Sequence, residues 1–219
     1  PTVNPIGGQG ETYFYGETRY EASPLNRVTE VTGAGNSWSG SMFNSTEADR
    51  HSVKTKYYVN TNVDSVRIWL VNTSVLGSWS SYSSPGAYSP GTLIKDITVD
   101  EQGRQVVTFK DRQGRVVLKK VQLTAAADDG SGRGYTGWLC TYYIYDDLDN
   151  LRCVVQPRGV ELIASNWQLT DPTILDEQCF RYEYDQRNRM IMKKVPGAGG
   201  VWMVYDGRDR LVMSQDSMT

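Results

Sequence analysis

Apolar and polar positions alternate with a period of two on either side of a recurring polar break, the pattern of half-buried strands joined by tight turns. The break has one form: Asp, two variable residues, then Gly, Asn or Asp, then Arg or Asn. It occurs at Asp100 to Gly103-Arg104, Asp111 to Gly114-Arg115, Asp146 to Asp149-Asn150, Asp185 to Asn188-Arg189 and Asp206 to Asp209-Arg210. An aromatic residue stands before the last three, as Tyr145, Tyr184 and Tyr205. Asp favours the first position of a type I turn because its carboxylate accepts from the amides that follow, and Gly, Asn and Asp tolerate a positive φ. The motif therefore predicts a three-residue hairpin loop with a left-handed closing residue. Placing Tyr184 opposite Met190 and Tyr182 opposite Met192 puts all four on one face. The same register groups Met203, Tyr205, Leu211 and Met213, and also Tyr143, Tyr145, Leu151 and Cys153.

Elsewhere the pattern is sparser. Val66 to Val71 reads as a strand by its β-branched and aromatic content. Residues 72–92 and 125–137, rich in Ser, Gly, Pro or Asp, read as surface loops. Thr170-Asp171-Pro172 predicts a helix start with Thr170 as N-cap, running to about Gln178, and a second short helix is predicted over Val160 to Ser165. The expected fold is all-β: antiparallel hairpins in a twisted sheet, part of a β-shell, with one or two short helices. Residues 1–92 form an N-terminal β-rich segment that includes the 72–92 loop. Residues 93–219 form the hairpin region, and the two read as one continuous unit.

Composition narrows the function. The 219 residues carry 23 Lys and Arg against 25 Asp and Glu, a net charge of −2. Such a balance lacks the cation surplus that displaces phosphate counterions, so a nucleic-acid partner is not expected. Twenty-one Gly and eight Pro stay well below the roughly 25–30% typical of low complexity. Cys140, Cys153 and Cys179 are odd in number and lack metal-ligand spacing, so they read as small core residues. No basic start precedes an apolar run, and no segment approaches the length of a membrane span. The chain opens at Pro1 and closes at Thr219 just behind a strand-like stretch, and so reads as part of a longer protein.

Candidate chemistry is thin. His51 is the single histidine and lies beside Asp49 and Arg50 without a nucleophile motif. The acidic groups Asp146-Asp147-Asp149 and Asp128-Asp129-Gly130 lack the ligand series of a calcium loop. Carboxylates paired with arginines in turns are expected to be ionised and structural rather than a glycosidase pair. The stretches from Gly130 to Gly134 and from Gly197 to Gly200 do not lie between a strand and a helix, as a phosphate cradle would. No cofactor or metal is expected. Fourteen Tyr and six Trp leave two readings: packing across strands, which is favoured, or sugar stacking on an exposed face, with Tyr182, Tyr184 and Tyr205 as candidate glycan contacts.

The sequence resembles the Rhs or YD-repeat proteins, in particular the long Rhs proteins of Bacteroides-like bacteria. The residues that carry the resemblance are Tyr20 to Val28 (YEASPLNRV), Gly91-Thr92-Leu93, the doubled stretch from Asp100 to Lys120, and Tyr143 to Arg152. It continues through Tyr182 to Met190 and Met203 to Leu211. The resemblance implies strands wound into a spiral or hollow shell that encloses or displays a variable C-terminal segment, in some members a toxin. It implies an extracellular or cell-surface location and an association with carbohydrate. The family's self-cleaving core has no counterpart here, and a closed shell needs several times more strands. The expected role is thus a non-catalytic structural module whose main partner is the remainder of its own chain, with a carbohydrate-binding or adhesion module as the alternative.

Overall fold

A computed structural model describes residues 10–46, 49–72, 75–124 and 131–217. The protein is all-β with a few short helices. Twelve strands form one antiparallel sheet in the order β1 (Thr18–Tyr20), β2 (Val28–Val31), β3 (Val53–Val59), β6 (Ile94–Val99), β7 (Gln105–Lys110), β8 (Val116–Gln122), β9 (Trp138–Tyr145), β10 (Leu151–Val155), β11 (Cys179–Tyr184), β12 (Met190–Lys194), β13 (Gly200–Tyr205) and β14 (Leu211–Asp216). Sheet neighbours are neighbours in sequence except where β3 meets β6. The chain between those two forms a separate hairpin of β4 (Leu70–Asn72) and β5 (Ser81–Ser83). Two short helices interrupt the meander between β10 and β11: α1 (Pro157–Ile163) and α2 (Pro172–Glu177).

The core lies on one face of the sheet. Ile97, Val107, Phe109, Leu118, Cys140, Tyr142, Ile144, Cys153, Val155 and Cys179 line that face. Val66, Trp69, Tyr82, Val160, Ile163 and Leu169 cover it. The segment around 72–92 is therefore not the surface loop expected from its Ser, Gly and Pro content. Its middle is a covering layer: Tyr82 is buried with its hydroxyl donating to the Arg152 carbonyl at 3.1 Å, and Ser80 is buried beside Glu183. The strand expected over Val66 to Val71 is displaced as well. Val66 and Trp69 are core residues outside a strand, and regular pairing starts at Leu70. Among the described residues of this polar stretch Ser80 is the buried serine, hydrogen-bonded to Glu183 of the sheet, while Ser78, Ser81, Ser83 and Ser89 stay exposed.

The helices shift by a few residues from their expected bounds. Asp171, not Thr170, caps α2, its side chain accepting from the Thr173 amide at 2.8 Å. Helix α1 begins at Pro157, because proline fits the first helical position. The loop expected over 125–137 is described only from residue 131. There the Gly132 and Gly134 carbonyls accept from the buried Lys120 ammonium.

Candidate functional site

The five Asp motifs close in one way. In each, the aspartate amide donates to the carbonyl four residues on, and the residue at the fourth position donates back to the aspartate carbonyl. One carboxylate oxygen, Oδ1, accepts from the amides two and four residues ahead, at 2.7 to 3.0 Å across the five turns. The fourth residue is left-handed throughout: Gly103 (φ 79°), Gly114 (82°), Asp149 (66°), Asn188 (58°) and Asp209 (64°). The second oxygen, Oδ2, then takes the following side chain. Arg115, Arg189 and Arg210 each donate from Nε to the aspartate of their own turn at 2.7 to 2.8 Å, and Asn150 donates to Asp146 at 3.2 Å. Arg104 departs from the rule and donates to the Leu123 carbonyl.

Sheet topology sorts these turns by edge. Asp100 turns the chain at one end of the strands, whereas the turns at Asp111, Asp146, Asp185 and Asp206 share the opposite end, two strands apart. That spacing is about 9–10 Å, within reach of an arginine. Each turn of the column consequently touches the next. Arg115 donates to Asp149, Asn150 donates to Asn188 at 3.2 Å, and Arg189 donates to Asp209 at 2.6 Å.

The tyrosine before each of the last three aspartates completes the link. The Arg115 guanidinium lies 5.1 Å from the Tyr145 ring centroid, Arg152 lies 5.7 Å from Tyr184, and Arg189 lies 5.0 Å from Tyr205. A cation over an aromatic face is held by the ring quadrupole. The Tyr205 hydroxyl also donates to the Met190 carbonyl at 2.9 Å. The first hairpin repeats the device without the Asp motif: Arg27 lies 4.3 Å from the Tyr57 centroid, and Tyr57 donates to the Val28 carbonyl at 2.9 Å. Arg27 is also bound by Glu21, whose carboxyl it holds down at about 2.

The register differs from expectation past the first pair of each hairpin on this edge. Tyr184 faces Met190, but Glu183 then faces Met192, leaving Ile191 unpaired. The same bulge leaves out Val117, Arg152 and Val212. A bulge sets two successive residues against one, which turns Val117 with Leu118, and Arg152 with Cys153, toward the core. Cys153 and Met192 therefore do not share a face with Tyr145 and Tyr184. Tyr145, Tyr182 and Tyr184 are half-buried, and burial raises the pKa of each hydroxyl.

Arg152 carries the feature that alternation did not reveal. Its guanidinium pairs with Glu183 and donates to Asp146 at 3.2 Å and to Ser80 at 2.9 Å, all nearly closed to solvent. Glu183 accepts from the Ser80 amide at 2.6 Å, and Arg181 donates to the Ser80 carbonyl at 2.9 Å. A cavity of about 720 Å³ opens above this cluster, between the turns and residues 69–72 and 75–78, with Trp69, Asp146 and Tyr184 in its walls.

Other candidates are placed singly. His51 Nδ1 lies 3.1 Å from the Ser37 carbonyl, and its ring tilts against Trp38. Cys140, Cys153 and Cys179 are free and buried, and burial pushes the Cys140 thiol up to about 11. Asp128, Asp129 and Gly130 lie outside the described residues. No helix among the described residues is long and apolar enough to cross a membrane.

Residues 3–53 match the model of a domain of unknown function (DUF6443). The matched stretch holds β1, β2 and the first residue of β3, at one edge of the sheet. It is roughly a quarter of the chain. No curated protein matches the sequence.

Proposed function

We propose that this chain is a non-catalytic structural module of the YD-repeat type: a length of sheet wall in a large secreted or cell-surface Rhs-like protein, helping to enclose or display another segment. The observation that carries the reading is the lateral linkage of the turns. Tyr145, Tyr184 and Tyr205 lie against arginines of the preceding hairpin, and Asp149 and Asp209 accept from them. These motif residues hold one hairpin to the next, which is what a wall requires.

The alternative, a carbohydrate-binding module, is tested directly by a glycan-array screen of the chain and its Tyr184→Ala and Tyr205→Ala variants, each checked by circular dichroism. The wall reading expects no saturable glycan binding and a lower unfolding midpoint for both variants. Saturable binding that disappears in well-folded, equally stable variants would overturn it.

A further inference from the structure

Arg210 occupies the position in the Asp206 turn that Arg115 and Arg189 occupy in theirs, and it makes the same bonds to its own aspartate. What differs is the far side. The side chains of Arg115 and Arg189 are 26% and 22% exposed beneath the next hairpin, whereas that of Arg210 is 68% exposed. Beside it runs β14, the last strand of the sheet order, which among the described residues pairs with β13 alone. Leu211, Val212 and Met213 are 53 to 60% exposed, and Val204 on β13 is 52% exposed. Both faces of this edge thus present apolar side chains next to an unpaired backbone row and an outstretched guanidinium. An edge of this kind is a template for another strand.

We infer that Arg210 is a recognition residue for an incoming β-hairpin of defined chemistry. That hairpin carries tyrosine immediately before its turn aspartate and a carboxylate or amide at its left-handed position, and its first strand pairs with β14. This inference rests on the wall reading and adds the identity of what the edge accepts. The two arginine links define the requirement: Arg115 meets Tyr145 and Asp149, and Arg189 meets Tyr205 and Asp209. The Asn150–Asn188 bond shows that an amide pair serves the same contact. A second copy of this chain pairing through its own β14 does not satisfy it. Every neighbour in the sheet is antiparallel, so that copy's Asp206 turn would stand at the far end of β14, away from Arg210.

The test extends the whole chain. A second copy of residues 195–216 is joined after Gln215, the counterpart of Lys194, reproducing the connection between β12 and β13 and supplying a new Tyr205-Asp206 hairpin next to Arg210. Hydrogen exchange of the β14 amides is then compared in the parent, the extended chain, the extended chain with Arg210→Glu, and that variant with Asp209→Lys in the added copy. Slowing by about tenfold or more on extension, loss of most of it with Arg210→Glu, and its recovery with the paired charge reversal are expected. Circular dichroism of the parent chain with Arg210→Glu establishes that the substitution leaves the fold intact. Protection that appears on extension but ignores both charge changes would overturn the role of Arg210 and leave the wall reading in place. No protection of β14 in any extended chain would overturn both.

Discussion

An aspartate that begins a turn works because its two oxygens are used in different directions. In the Asp185 turn one oxygen accepts from the Arg187 and Arg189 amides, at 2.8 and 3.0 Å, and the other takes the Arg189 guanidinium at 2.7 Å. These bonds favour the charged form and hold the carboxyl below the usual range, against the burial that opposes it. Replacing Asp185 by alanine leaves two amides without an acceptor and takes from the half-buried Arg189 one of its two carboxylates, Asp209 being the other, while Asn188 remains left-handed. The expected cost is about 1–2 kcal/mol, read as a lower urea midpoint at neutral pH. Asp185→Asn keeps one acceptor oxygen and should lose less. An alanine variant with the parent midpoint would show that the turn is held by its flanking strands alone. Such turns are legible in sequence because each of their requirements is met within five consecutive residues.

At the scale of the element, the hairpins were legible and their register was not. Alternation assigns faces correctly only while the strand is regular, and each hairpin of the turn column has a bulge after its first pair. Nothing in the residue types of Val117, Arg152, Ile191 or Val212 marks a common exception. The partner of Arg152 was also hidden, since Ser80 and Glu183 come from a covering segment and another strand, distant in sequence. A recurring arginine after the left-handed residue was visible, but its lateral target became visible only once alternate turns fell on one edge. The Arg152–Glu183 pair gives this scale its prediction. Removing Glu183 leaves the buried Arg152 with Asp146 as its remaining carboxylate, so Glu183→Ala is expected to cost about 3 kcal/mol, the low end for a broken buried pair. Replacing both by apolar residues, Arg152→Met with Glu183→Leu, should recover much of that loss. Thermal or urea unfolding of the three chains decides it: a double variant no more stable than the single would mean that Ser80 and Asp146 need the pair itself.

For the molecule as a whole, these local devices form a chain of charge that runs along one edge of the sheet. The carboxyls of Glu21, Asp185 and Asp206 are all held low, chiefly by hydrogen bonds from arginine side chains or turn amides, with burial working against them. Glu30 is lowered too, in the matched N-terminal stretch, where Ser41 and Ser52 donate to a carboxylate whose burial opposes the shift. A carboxyl whose folded pKa lies below its unfolded value of about 4 stabilises the fold fully above that value, and the contribution is lost as pH falls through the folded one. The window runs from about pH 4 downward, to about 2 for Glu21. The urea midpoint should therefore hold nearly level from pH 7 to 5 and then fall progressively toward pH 2. Substituting Glu21→Gln and Asp185→Asn together should lower the midpoint at pH 7 and flatten the acid limb, because two of the groups that titrate have been removed. A parent midpoint unchanged between pH 5 and pH 2 would mean that strand pairing and the apolar face carry the sheet without the turn charges. In that case the arginine column would serve to select which hairpins lie side by side, and Arg210 would keep that role at the open edge.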